Sequence, residues 1–197
     1  MAPVTPADPR ADPRSDSELM AAVAAGDREA FAAVYARFAP PLMAFLHHLC
    51  FDRQLAEDAT QETFVRAWQA ASRFRPGARL APWLYRIAQR TAWTAGAARS
   101  RRGGRARGED PATADPGLPA PGAVPVDAPA RDREVAEALR GALRELSEPL
   151  RVAFVLVRME GMSYEDAAQV LEVPEGTVKS RVAAAETVLR GDLRGFL

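Results

Sequence analysis

The sequence holds a single cysteine, Cys50, so no disulfide can form within the chain and a disulfide-stapled scaffold is excluded. Lysine is almost missing too: Lys179 stands alone among arginines. The two histidines are the neighbours His47 and His48, which point to different sides of a helix. No other histidine exists to complete a metal site at helical spacing, so no metal is expected. No apolar run reaches membrane-spanning length, and the Pro/Ala/Asp-rich stretch 1–16 lacks the apolar segment of a secretory signal. A soluble cytoplasmic protein without membrane insertion is expected. There is no phosphate loop of the G-x-x-x-x-G-K type and no nucleophile with a base. An enzyme therefore has no residue set behind it, and neither a cofactor nor a small-molecule substrate is expected.

Net charge is missing as well. The 26 Lys and Arg balance the 26 Asp and Glu, so any grip on a polyanion must come from a local patch. Such a patch exists. From Arg73 to Arg107 there are ten arginines and no acid: Arg73, Arg75, Arg79, Arg86, Arg90, Arg99, Arg101, Arg102, Arg105 and Arg107. Trp83, Tyr85 and Trp93 are interleaved with them. Dense arginine with aromatics suits nucleic acid, whose bases can stack as well as pair.

Apolar periodicity makes the chain all-α. After a tail at 1–15, Ser15, Asp16 or Ser17 caps a first helix that stops at Gly26, and Asp27 caps a second. Pro40 and Pro41 interrupt, with Pro41 opening a further helix through Cys50. A long helix follows from about Arg53 to Ser72, its apolar side carrying Leu55, Ala59, Phe64, Val65 and Trp68. Pro82 begins the next, with Trp83, Leu84, Ile87, Ala88, Thr91 and Ala95 as the buried stripe and Arg86 and Arg90 off it. The stretch 103–130 is rich in Gly, Pro, Ala and Asp and lacks helical period, which makes it a flexible linker between two small helical domains, 16–102 and 131–197. In the second, Ser163 to Asp166 resembles a capping box. A short helix runs to about Leu171, a turn follows over 172–177, and a last helix starts at Val178.

Three groups of residues stand out. Two short helices with a tight turn between them form a helix-turn-helix pattern, and Thr177, Lys179, Ser180 and Arg181 crowd the start of the second. Side chains at that place reach base edges, and arginine can grip guanine with two bonds; a plain packing unit is the alternative. Glu57, Asp58 and Glu62, with Gln61 among them, share much of one helix face. That face is either merely solvated or a dock for a basic partner. The arginines of 73–107 are the third group.

Taken in order, these segments resemble a known family. Ala56-Glu57-Asp58-Ala59-Thr60-Gln61-Glu62-Thr63-Phe64-Val65-Arg66-Ala67-Trp68 is similar to the core-polymerase-binding motif of bacterial sigma-70 factors. Phe74-Arg75 through Trp83-Leu84-Tyr85-Arg86-Ile87-Ala88 resembles the promoter −10 segment that follows it. Gly161 to Ala168 and Val173 to Arg181 resemble the −35-reading domain. Size and layout point to the extracytoplasmic-function group. The resemblance implies that Glu57, Asp58, Gln61 and Glu62 dock on core RNA polymerase. It implies that Arg73, Arg75, Arg79, Arg86 and Arg90 engage −10 promoter DNA, and that Glu175, Thr177, Lys179, Ser180 and Arg181 serve the −35 element. It also implies an anti-sigma factor as partner and no catalysis. Several positions depart from the pattern. Arg90 and Thr94 stand where Asn and Asp are frequent, and Ala59 replaces a bulkier apolar residue. Where a basic run is common stands Val182-Ala183-Ala184-Ala185-Glu186, and 131–197 holds ten cations against twelve acids. This implies −35 binding that leans on few phosphate contacts and on tethering through polymerase. The alternative is an interaction protein for polymerase or an anti-sigma factor, with degenerate promoter recognition.

Overall fold

The computed structural model describes residues 13–101 and 130–193, and the side chains of 95–101, 130, 132 and 192 fall outside that description. The 1–15 tail is therefore described only from residue 13, and of the 103–130 linker only Ala130 is described, as the first residue of a helix. Arg99 to Arg107 lie outside the described side chains. Among the described residues there are eight α-helices and no strand.

Local capping sets most helix starts. In α1 (Asp16–Ala24) Ser15 Oγ accepts the Glu18 amide and Glu18 accepts the Ser15 amide, a reciprocal capping box. Gly26, at φ +90°, allows the sharp exit into α2 (Arg28–Cys50), where Asp27 Oδ1 accepts the amides of Glu29 and Ala30. Asp52 accepts the Leu55 amide at the head of α3 (Arg53–Gln69), which ends in a 3-10 turn, Ala71–Arg73.

Pro40 and Pro41 do not interrupt: α2 runs through both. Two backbone donors are lost, yet Ala33 and Val34 before the pair and Leu42, Phe45 and Leu46 after it are all buried in one core. Packing on that shared face outweighs the local penalty. In α3 the buried side also differs from the apolar pattern. Val65 is 49% exposed, whereas Thr60 and Thr63 are buried and return their hydroxyls to the Ala56 and Ala59 carbonyls at 2.7 and 2.6 Å. Self-satisfied threonines are narrow enough for close helix approach, as are the buried Ala56, Ala59 and Ala67. At Ala59 the smaller side chain thus lies inside a packed core.

Helix α4 (Leu80–Arg101) begins two residues before Pro82. The reason is distant in sequence: Asp16 Oδ2 accepts the Leu80 amide at 2.9 Å, and Ser17 Oγ accepts the Gly77 amide at 2.8 Å. The head of α1 therefore caps the start of α4. Leu80, Leu84 and Ala88 are fully buried, while Trp83 is half-buried edge-on to Phe74, with ring centroids 5.5 Å apart.

The second module comprises α5 (Ala130–Glu145), α6 (Glu148–Phe154) continued by a π-helical turn (Val155–Met159), α7 (Tyr164–Leu171) and α8 (Glu175–Asp192). Ser163 caps α7 through the Asp166 amide at 3.0 Å. The last helix opens at Glu175, not Val178, so Glu175, Gly176 and Thr177 belong to its first turn. The two modules pack together. Helix α4 lies against α7, and one apolar core runs from Leu19 to Val182 across both. At the other end of the contact, Phe51 sits between Arg144 and Arg151, each guanidinium 5.0 Å from the ring centroid.

Candidate nucleic-acid interface

Helix α4 presents the arginines, and its register decides how. Arg79 lies just before the helix, while Arg86 and Arg90 are four apart and share a face. That face does not meet solvent alone. Arg79 pairs with Asp166 Oδ2 at 2.5 Å, Arg86 with Glu172 at 3.5 Å, and Arg90 with Glu172 at 2.5 Å. Three of the five arginines expected to meet DNA are thus brought together on two carboxylates of the second module. Arg73 and Arg75 are exposed on the 3-10 turn and the loop after it, and have no ion pair among the described residues.

These carboxylates, with Glu160, are the residues that sequence reasoning missed. Tyr85 donates to Glu160 Oε2 at 2.7 Å. Burial, followed by the Glu160 charge, raises the phenol above its ordinary value, so Tyr85 stays a donor. Burial also raises the Glu160 carboxyl, partly offset by that bond. The only hint in sequence was the acid excess of 131–197 beside an arginine-rich first module.

The helix-turn-helix is formed by α7 and α8. Val178, Val182, Ala185 and Leu189 bury one face of α8, which leaves Lys179 and Ser180 exposed and Thr177 and Arg181 half-exposed. Lys179 is held locally: its ammonium is 2.6 Å from Glu175 and 5.6 Å from the Tyr164 ring centroid. The Glu175 carboxylate is the first cause that raises its pKa. Ser180 donates to the Thr177 carbonyl at 2.9 Å. Among the described residues no ion pair holds Arg181, which leaves its guanidinium the least engaged donor of this set.

On α3, Asp58, Gln61 and Glu62 are exposed and Glu57 is half-buried. Two of the acids have counter-charges within the helix, Arg53–Glu57 and Arg66–Glu62, both at 2.8 Å. Beside Gln61 an open, almost wholly apolar groove of about 350 Å³ is lined by Phe31, Tyr35, Phe64, Val65 and Trp68. His47 is buried and His48 half-buried, and the two rings meet edge to face.

Residues 34–102 match the family model for sigma-70 region 2, and 136–188 match that for sigma-70 region 4. The chain is 33% identical over 189 residues to RNA polymerase sigma-H factor of Pseudomonas aeruginosa, covering 92% of this chain and 95% of that one. The chain belongs to the sigma-70 family. Its place within the family is the extracytoplasmic-function group. It is 37% identical over 184 residues to the ECF RNA polymerase sigma factor SigM of Mycobacterium tuberculosis, covering 93% of this chain and 87% of that one. Among solved structures it resembles the sigma factor RpoE in complex with the anti-sigma factor NepR from Bartonella quintana. That match has a TM-score of 0.66 and 29% identity over 83% of this chain and 96% of that one. This sigma factor is a transcription initiation factor that binds core RNA polymerase and directs initiation at promoters. No described helix is long and apolar enough to cross a membrane.

Proposed function

We propose that the residue roles in this sigma factor divide by helix. Asp58, Gln61 and Glu62, with Glu57 at their edge, dock on a basic surface of core polymerase. Arg73, Arg75, Arg79, Arg86 and Arg90 engage the −10 element, where an unstacked base is held at a cost of a few kcal/mol that stacking and pocket contacts offset. The first turn of α8, with Glu175, Thr177, Lys179, Ser180 and Arg181, enters the −35 major groove. The domains act as 16–102 and 131–197 joined through 103–130. The protein performs no catalysis and works in the cytoplasm beside polymerase. An anti-sigma factor is its regulator, a reading supported by the likeness to a sigma factor solved with one. The observation that carries the proposal is that Arg86 and Arg90, on one face of α4, and Arg79, just before that helix, each already pair with an anionic oxygen.

The test is reconstitution. Added to purified core polymerase, this sigma factor should start transcripts at defined promoters in a genomic library, and Arg86→Ala with Arg90→Ala should abolish them while core binding persists. Transcription undiminished in that double variant would remove the −10 role. A second reading, polymerase binding with degenerate −35 recognition, is favoured by the local capture of Lys179 and by Val182 to Ala185 where a basic run is common. It predicts core binding without promoter selectivity.

A further inference from the structure

We propose that the proline-rich segment 1–12 of this chain docks in cis on the aromatic groove beside Gln61 and screens that edge of the first module from core polymerase. The screening rests on the core-docking assignment proposed above. Residues 1–12 lie outside the described residues, but their sequence has a clear period: Pro3, Pro6 and Pro9 recur at every third position. A polyproline II helix has three residues per turn, so all three prolines fall on one of its faces. Aromatic-lined grooves recognise such a face. The groove offers the complement. Phe31, Tyr35, Phe64, Val65 and Trp68 line it, and Tyr35 and Val65 are nearly half exposed. Its rings brace one another: Phe31 stands edge-on to Trp68 with centroids 5.0 Å apart, and Tyr35 lies 4.6 Å from Phe64. The walls are therefore set before anything enters.

The segment also starts from the right place. Arg14 pairs with Asp27 at 3.4 Å, which holds the root of the tail beside Gly26. Gly26 lines a second open recess, of about 370 Å³, together with Val23, Trp68, Gln69 and Ser72. Trp68 and Gln69 belong to both recesses, so one trough runs from Gly26 to Gln61. Along α3 the stretch from Gln61 to Gln69 covers about 12 Å of helix. Residues 1–12 as polyproline II span about 37 Å at roughly 3.1 Å each. The tail is long enough to reach the trough from Arg14 and fill it. Tethering gives it an effective concentration on the order of millimolar, so a weak contact suffices. Gln61 lines the groove and also stands next to Glu62 among the polymerase-docking residues. A tail lying there and polymerase compete for that edge.

The test keeps the full-length chain and changes only its tail. With Cys50→Ser, a nitroxide on Thr5→Cys is read through paramagnetic broadening of the Val65 methyls and the Trp68 indole. A second chain adds Pro3→Gly, Pro6→Gly and Pro9→Gly, which keep the length of the tail and remove its polyproline preference. Broadening at Val65 and Trp68 is expected to be strong with the native prolines and to fall several-fold in the glycine tail. Equal broadening in the two tails, or none in either, would overturn the docking and leave the groove to polymerase alone. Affinity for core polymerase, measured without the label, should rise about two- to fivefold in the glycine tail, the gain expected where the groove is otherwise free for about one-half to one-fifth of the time. Unchanged affinity would overturn the screening. Core binding that Glu62→Arg leaves intact would instead sink the polymerase-docking assignment beneath it, with the broadening unaffected.

Discussion

Tyr85 on α4 donates its phenolic proton to Glu160 Oε2 across 2.7 Å, joining the two modules inside their contact. Tyr85→Phe leaves that carboxylate half-buried without its donor. We expect a loss of about 1–3 kcal/mol, the cost of an unsatisfied buried acceptor. Glu160→Gln in the same background should recover part of it, since an amide needs less solvation than a carboxylate. Urea unfolding of the single and double variants measures both. Additive effects would mean that the bond contributes nothing.

Glu62→Arg is predicted to weaken core polymerase binding by about tenfold or more, since like charge against a basic partner costs on the order of several kcal/mol. The variant also sets two arginines at i and i+4 in place of the Glu62–Arg66 pair. That local change is worth only about 0.5–1 kcal/mol of stability. Binding titration against core, with a thermal melt alongside, separates the two effects.

Arg181 lies on the first turns of α8 and has no ion pair among the described residues. If it contacts a base edge, Arg181→Ala costs about 1–3 kcal/mol at the −35 element and relaxes preference at one position. A phosphate contact would instead weaken all sequences alike and reduce the salt slope by about 1. Promoter-fragment binding over a salt series distinguishes these outcomes.

Acid should loosen the fold through His48. Burial first, then the charges of His47 and Arg140, push its pKa from 6.5 down to about 4. The folded chain thus binds fewer protons at His48 than the unfolded chain does in this window. Stability falls as pH drops from 6.5 toward 4, and the loss levels off below that. Glu160 works in the other direction, because its raised carboxyl loses stability as pH climbs from 4.5 through its folded pKa. Melting temperatures of wild type and His48→Gln across this range should converge as pH is lowered.

Phe51 ends α2 in a left-handed conformation, φ +53°, with Arg144 and Arg151 on its ring. Phe51→Ala removes the ring but keeps the backbone strain, whereas Phe51→Gly removes both. Both variants should loosen the docking of α5 and α6. Phe51→Gly should be the more stable by about 1 kcal/mol, read as the difference between their unfolding midpoints.

Much of this protein was written locally in its sequence. Ser15, Asp27 and Ser163 each act within a few residues, so their capping was legible before any fold was known. The stretches 56–68 and 161–181 likewise identified the family from short segments. Only tertiary packing decided the rest. It carried α2 through Pro40 and Pro41, turned Val65 outward and Thr63 inward, and started α4 early by lending it Asp16. It also placed Glu160, Asp166 and Glu172 against Tyr85, Arg79, Arg86 and Arg90, residues more than seventy positions away. Periodicity reports which face of one helix is apolar; which charged face meets it depends on how two modules dock.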